Sequence, residues 1–198
     1  MAGASNSAGY SYSSFASLLG VKKNILISGP PGSGKSTLII RISQKVGVLT
    51  RGFTTAEIRS RAGTREGFKI ATLSGREGVL ARKDLREGPR VGSYRVNLAD
   101  LDDIGSAELE AAIDDPSTDL IIVDEIARME LFSERFMRAI SRALDSPKPL
   151  LATLQIRRAP FLDAIRARAD VVLIQLEKGH LEEAERLTLS ALSEILNR

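Results

Sequence analysis

The sequence predicts an α/β fold with a mostly parallel central sheet flanked by helices and carrying an antiparallel hairpin insert. Three features predict it. The runs NILIS (Asn24–Ser28), LIIV (Leu120–Val123), LLATL (Leu150–Leu154) and VVLIQL (Val171–Leu176) are almost wholly apolar, as strands covered on both faces are. Stretches with apolar side chains at helical spacing separate them. From Gly52 to Val96 the pattern changes to short alternating runs punctuated by AGTRE, SGREG and REGP, the mark of hairpins.

In chain order, the opening MAGASNSAGYSYSSFASLLG is rich in Ser, Gly and Ala and carries no charged side chain, so residues 1–20 are expected to be a disordered tail. It lacks the basic start, apolar core or arginine series of a targeting segment, which leaves a cytoplasmic location as the default. Residues 21–198 suit one domain. After the strand at Asn24–Ser28, Leu38, Ile39, Ile42 and Val46 mark a helix that Gly47 ends. The hairpin insert spans 51–96. A helix over Asp100–Asp114 follows, stopped by DDPSTD. Beyond the strand at Leu120–Val123, Phe132, Phe136, Ile140 and Leu144 recur at fourfold spacing, a helix face with Ser133 as its cap. Pro147 and Pro149 precede the next strand, a short helix covers Phe161–Ala167, and Leu181, Ala184, Leu187, Ala191 and Ile195 trace a closing amphipathic helix.

Composition narrows the chemistry. No apolar run approaches the roughly 20 residues of a membrane helix. The absence of cysteine excludes disulfides, thiolate metal sites and cysteine nucleophiles. Net charge is only +3, but Arg51 to Arg95 holds 11 basic against 5 acidic side chains. Such a stretch could attract phosphates or nucleic acid. No aromatic series interleaves with it as a single-strand stacking platform requires, so nucleic acid is the less favoured partner.

Gly29–Ser36 reads GPPGSGKS and satisfies G-x-x-x-x-G-K-[ST] between a strand and a helix, the context a phosphate loop needs. Glycines let successive backbone N–H groups converge on phosphate oxygens, and the helix that follows presents its positive end to the same anion. Gly29, Pro30, Pro31, Gly32, Ser33, Gly34, Lys35, Ser36 and Thr37 are therefore candidate nucleotide contacts, with Lys35 between the terminal phosphates. LIIVDE places Asp124 and Glu125 at the end of an apolar strand. Ser36 and Asp124 are candidate ligands of Mg2+, and Glu125 can accept a proton from water or orient it toward the γ-phosphate. Lys35 and Glu125 are the candidate catalytic pair.

With these motifs in place, the chain resembles the small THEP-type nucleoside-triphosphatases, also called cancer-related nucleoside-triphosphatases. GPPGSGKSTL is similar to their phosphate loop. GFTTAEIR and GTREGFKIATLSG resemble their G-F-[YT]-T-x-E-[VI]-R and R-x-G-F segments, RVGSYRV their V-G-x-Y-x-V, and VDEIARMELFSERF their D-E-I-G-[KR]-M-E-L. The likeness runs from Val21 to Val172. It implies a RecA-like P-loop fold that slowly hydrolyses ATP, GTP and other nucleoside triphosphates with Mg2+, and it nominates Asp124 and Glu125 together. Arg59 and Arg65 match family arginines that approach the phosphates or lie on the hairpin surface. Thr153 and Gln155, ending a core strand, are candidates to sense the γ-phosphate or to fill a capping role. Ala127 replaces the usual glycine after D-E-I and is expected to narrow the nucleotide's room. Thr54 stands where many members have Tyr, and EKGHLEEA lacks their Asn-Arg pair, so base contacts do not carry over. His180, in that divergent stretch, is expected at the surface. Two other functions stay open: a small-molecule or nucleotide kinase with an unidentified acceptor, and a nucleotide-gated nucleic-acid-binding protein.

Overall fold

A computed structural model describes residues 22–197; the expected N-terminal tail lies outside them. It is a mixed α/β structure around one nine-stranded sheet, ordered β5-β6-β4-β3-β2-β7-β8-β1-β9. The strands are β1 (Asn24–Ser28), β2 (Thr50–Arg59), β3 (Arg65–Thr72), β4 (Glu77–Arg82), β5 (Arg90–Val91), β6 (Tyr94–Val96), β7 (Leu120–Ile126), β8 (Leu150–Leu154) and β9 (Val171–Gln175). Strands β2, β7, β8, β1 and β9 run parallel, and β2 through β6 are antiparallel.

The hairpin segment extends this same sheet, and β2 belongs to both halves. Thr50–Phe53 pairs with Leu120–Val123 of β7, and Phe53–Arg59 pairs with β3. Gly52 makes that junction. Its φ is +134°, and a Cβ there would sit 1.9 Å from the Ile122 carbonyl oxygen. Gly52→Ala therefore meets backbone strain and a steric clash at once, and should lower stability by about 3 kcal/mol. Urea unfolding checks this; a midpoint equal to wild type would show that the junction tolerates a side chain.

Alternation along the strands builds two cores. Ile25 and Ile27 of β1, Leu120 and Ile122 of β7, and Val172 and Ile174 of β9 pack on one face with Leu38, Ile39 and Ile42 of α1 (Lys35–Lys45), and with Ala184, Ala191 and Leu192 of α6 (Leu181–Leu196). Leu26, Ile121 and Val123 face the other way, onto Phe136, Ile140 and Leu144 of α4 (Glu134–Asp145) and Leu162 and Ile165 of α5 (Pro160–Arg166). Both faces are covered, which explains why the strands read as continuous apolar runs.

Two elements depart from expectation. The helix expected at Asp100–Asp114 begins earlier, because the Asn97 side chain caps it by accepting from the Asp100 N–H (3.2 Å). It runs as α2 (Leu98–Asp100), a π segment (Leu101–Ser106) and α3 (Ala107–Asp114). Phe132, placed by spacing on the next helix, lies in a 3-10 turn and is 40% exposed. Ser133 accepts from the Phe136 N–H (2.9 Å) as the expected cap, so the residue before it falls outside α4.

Among the described residues, five of the eleven basic side chains in the stretch from Arg51 to Arg95 pair with acids: Arg51, Arg59, Arg65, Lys69 and Arg82. Arg51 grips buried Glu108 through Nε and Nη2 (3.0 and 3.1 Å), Lys69 meets Glu77 (2.9 Å), and Arg82 meets Asp84 (2.9 Å). Among the described residues, no helix is long and apolar enough to cross a membrane.

Candidate active site

The order of the parallel strands creates a crevice. The chain leaves β1 through α1 to reach β2, passing over β8 and β7, whereas it leaves β8 through α5 to reach β9 on the far side of β1. Connections that diverge in this way open a ligand site at the carboxyl ends of the strands. Here they open a cleft of ≈ 630 Å³ lined by Gly29, Gly32, Lys35 and Ser36 after β1, Glu125 after β7, and Gln155 and Arg157 after β8. Its remaining wall includes Thr55, Glu57 and Phe68 of the hairpins, and the apolar side chains of Ile40 and Ile156.

The phosphate loop is formed by its own backbone. The Ser33 N–H donates to the Pro30 carbonyl (3.2 Å), and Gly34, at φ +100°, turns the chain into α1. No side chain caps that helix, so its first N–H groups face the loop. The Lys35 ammonium lies across the loop and donates to the carbonyls of Gly29 (3.1 Å) and Pro30 (3.4 Å). Ser33 carries a buried hydroxyl without a hydrogen-bond partner.

Asp124 and Glu125 would point to opposite faces of a regular strand. β7 is irregular at this point: Val123 pairs with Ala152 and Ile126 with Leu154, so β7 spends one more residue than β8 over the same span. Such an extra residue re-aims side chains. Lys35 acts electrostatically on both carboxylates. Asp124 is 1% exposed, and its Oδ1 accepts from the Thr153 hydroxyl (2.6 Å). Burial pushes its carboxyl above the usual range, an effect tempered by Thr153, Ser36, Lys35 and the Thr55 backbone. Its Oδ2 is buried and has no hydrogen-bond partner among the described residues. Glu125 is half-buried, and burial raises it too; Lys35 opposes the rise and the Asp124 charge adds to it.

The remaining candidates separate. Thr153 is fully buried behind Asp124 and does not line the cleft. Gln155 does line it, while its Oε1 accepts from the Arg128 N–H (3.1 Å). Arg59 and Arg65 are outside the cleft lining and both hold Glu57. Arg59 also donates to the Gly63 carbonyl (2.7 Å), and Arg65 to the Tyr94 hydroxyl (3.0 Å) while lying over the Phe68 ring. Ala127 is packed in the interior and does not border the cleft. His180 is exposed, 3.5 Å from Glu183. Two residues escaped sequence reading. Arg157 stands just past the apolar strand that ends in Gln155. Glu130, 3% exposed, accepts from the Ala127 N–H (3.2 Å) through Oε2.

Magnesium prefers oxygen ligands, and binds through one or two protein oxygens together with phosphates and water. The unpartnered Oδ2 of Asp124 and the nearby Ser36 hydroxyl fit that need. Among the described residues no cluster of three or more His, Cys, Asp or Glu could hold a metal unaided, so any ion here would depend on the bound phosphates.

A phosphate loop, an acidic strand end and a crevice at the switch point of a parallel sheet together define a P-loop nucleotide-binding protein. Comparison gives the particular group: residues 24–189 match the sequence profile of the family described as NTPase, and the chain belongs to that family. The nucleoside-triphosphatase THEP1 of Thermotoga maritima is 46% identical over 173 residues, covering 87% of this chain and 93% of the relative. The human cancer-related nucleoside-triphosphatase is 35% identical over 170 residues, 79% of this chain and 89% of the human protein. The crystal structure of THEP1 from Aquifex aeolicus superposes with a TM-score of 0.76 at 34% identity, covering 85% of this chain and 98% of that one.

Proposed function

We propose that this chain hydrolyses the terminal phosphate of nucleoside triphosphates, with Mg2+, to nucleoside diphosphate and phosphate. The observation that carries the proposal is the strand end at Asp124–Glu125, where one carboxylate keeps an unpartnered oxygen and the other borders the same cleft as Lys35.

The amides of Gly32–Ser36 and the start of α1 bind the phosphates, and Lys35 leaves its two carbonyls to neutralise the β- and γ-oxygens. Ser36 and Asp124 would hold the ion, which would neutralise charge on the β- and γ-phosphates. Thr153 fixes the Asp124 carboxylate by occupying its other oxygen. Glu125 takes a proton from water as the water oxygen bonds to the γ-phosphorus. The bond to the β–γ bridging oxygen breaks, and its electron pair leaves with the diphosphate. A carboxylate placed for water favours hydrolysis over transfer to another acceptor.

The test is phosphate release by the full chain from a panel of triphosphates, with and without EDTA. Release should require the added metal, and Lys35→Ala should lower kcat/KM by about 100-fold or more. Release that is unaffected by chelation would exclude the metal role of Ser36 and Asp124. Stoichiometric formation of a phosphorylated acceptor would replace hydrolysis with kinase activity.

A further inference from the structure

We propose that Arg157 is a catalytic arginine supplied by this chain itself, contacting the terminal phosphate from the loop after β8, the strand beside that of the phosphate loop. The proposal rests on the triphosphatase reading and adds to it a residue that neither the motifs nor the resemblance nominates.

The placement comes from the loop between β8 and α5. Arg157 borders the same cleft as Lys35 and Glu125, two residues past Gln155. Arg166 of α5 clamps the loop's backbone, donating to the carbonyls of Gln155 and Arg157 (3.4 Å for the latter). Asp163 in turn binds both Arg166 and Arg158 (2.8 Å each). The backbone that carries Arg157 is thus fixed by its neighbours.

Its guanidinium is treated differently from the others nearby. Arg59 and Arg65 are committed to Glu57, Arg158 and Arg166 to Asp163, and Arg51 to Glu108 and Asp115. Among the described residues the Arg157 guanidinium has no hydrogen-bond, ion-pair or ring partner, although carboxylates were available to the arginines around it. A cation held on a fixed loop beside a phosphate-binding loop, and not neutralised, suits an anionic ligand.

Chemistry explains the need for a second cation. As water adds to the γ-phosphorus and the bridging P–O bond breaks, negative charge spreads over oxygens on several sides of the phosphoryl group. Lys35 approaches from the loop after β1. A guanidinium from the loop after β8 can donate two parallel hydrogen bonds to oxygens that Lys35 does not reach. Arg157 transfers no proton; the water's proton goes to Glu125.

The experiment compares the full chain with Arg157→Ala, Arg157→Lys and Arg158→Ala. It measures phosphate release and, by calorimetry, the affinity for magnesium diphosphate and for a non-hydrolysable magnesium triphosphate. Arg157→Ala should lower kcat about 100-fold or more and weaken the triphosphate analogue about 10-fold, with diphosphate affinity unchanged. Arg157→Lys should recover part of the loss, and Arg158→Ala should behave as wild type. Equal values for Arg157→Ala and wild type in both measurements overturn the proposal, as does an equal loss in Arg158→Ala, which would mark a general loosening of the loop. Failure of the triphosphatase reading shows separately, as a wild-type chain that releases no phosphate. The two affinities still decide then: selective loss of the triphosphate analogue keeps the contact, and its absence removes it.

Discussion

Glu125→Gln should bind magnesium triphosphate about as tightly as the wild type and release phosphate about 10²–10⁴-fold more slowly. Glutamine keeps the shape and a hydrogen-bonding oxygen but cannot accept a proton from water at neutral pH. The loop amides and Lys35, the proposed phosphate contacts, are untouched. Binding and turnover should therefore separate, with kcat falling far more than affinity. Burial favours the neutral form of Glu125 and the Lys35 charge favours the ionised one. These opposing influences suit a group that must hold and then release a proton. Single-turnover release by the variant at the wild-type rate would remove Glu125 from the chemistry.

The parts of this site that were legible in the sequence are local ones. GPPGSGKS needs only its own glycines and the adjoining helix to form a phosphate loop, and LIIVDE announces a buried strand ending in acids. The parts that were not legible depend on register and on long-range pairing. Arg59 and Arg65 read equally as phosphate contacts or as hairpin-surface charges; the antiparallel pairing of β2 with β3, irregular between Ile58 and Arg59, brings both onto Glu57. Thr153 reads as either a γ-phosphate sensor or a buried or capping polar residue, and it is buried. Its partner was the part not legible: the hydroxyl donates across to Asp124 on the neighbouring strand, 29 residues away in sequence. Asp124 and Glu125 could be named from the chain, whereas the extra residue in β7 that accompanies their placement shows only in the pairing with β8. Phe132 shows the same limit at short range: fourfold spacing continues through it, but the Ser133 cap starts the helix one residue later.

Glu130→Gln should lessen the loss of stability that the wild-type chain shows between about pH 5 and pH 8, to which the raised carboxyls of Asp124 and Glu125 also contribute. Burial is the main cause that pushes the Glu130 carboxyl up to about 8, and the charges of Glu125 and Asp124 add to it. The folded chain then retains a proton that the unfolded chain, titrating near 4.5, has already lost. Across that interval the native state binds more protons, so stability falls as pH rises and levels off above pH 8. The full difference between the limits is on the order of 4 kcal/mol. Glutamine is neutral throughout and can still accept from the Ala127 N–H, so the variant should match wild type near pH 5 and exceed it near pH 8. The carboxylates held low by arginine or lysine, such as Glu57, Glu110 and Glu185, act in the opposite sense and in a lower range, losing their contribution as pH drops below about 4.5. The two effects can be resolved by denaturant unfolding of both chains at a series of pH values. Parallel stability curves from pH 5 to pH 8 would show that Glu130 ionises at an ordinary pH. A buried acid that weakens the fold at neutral pH has one visible use here: its oxygen fixes the backbone turn directly behind Glu125, where a displacement would move the carboxylate relative to the water it must deprotonate.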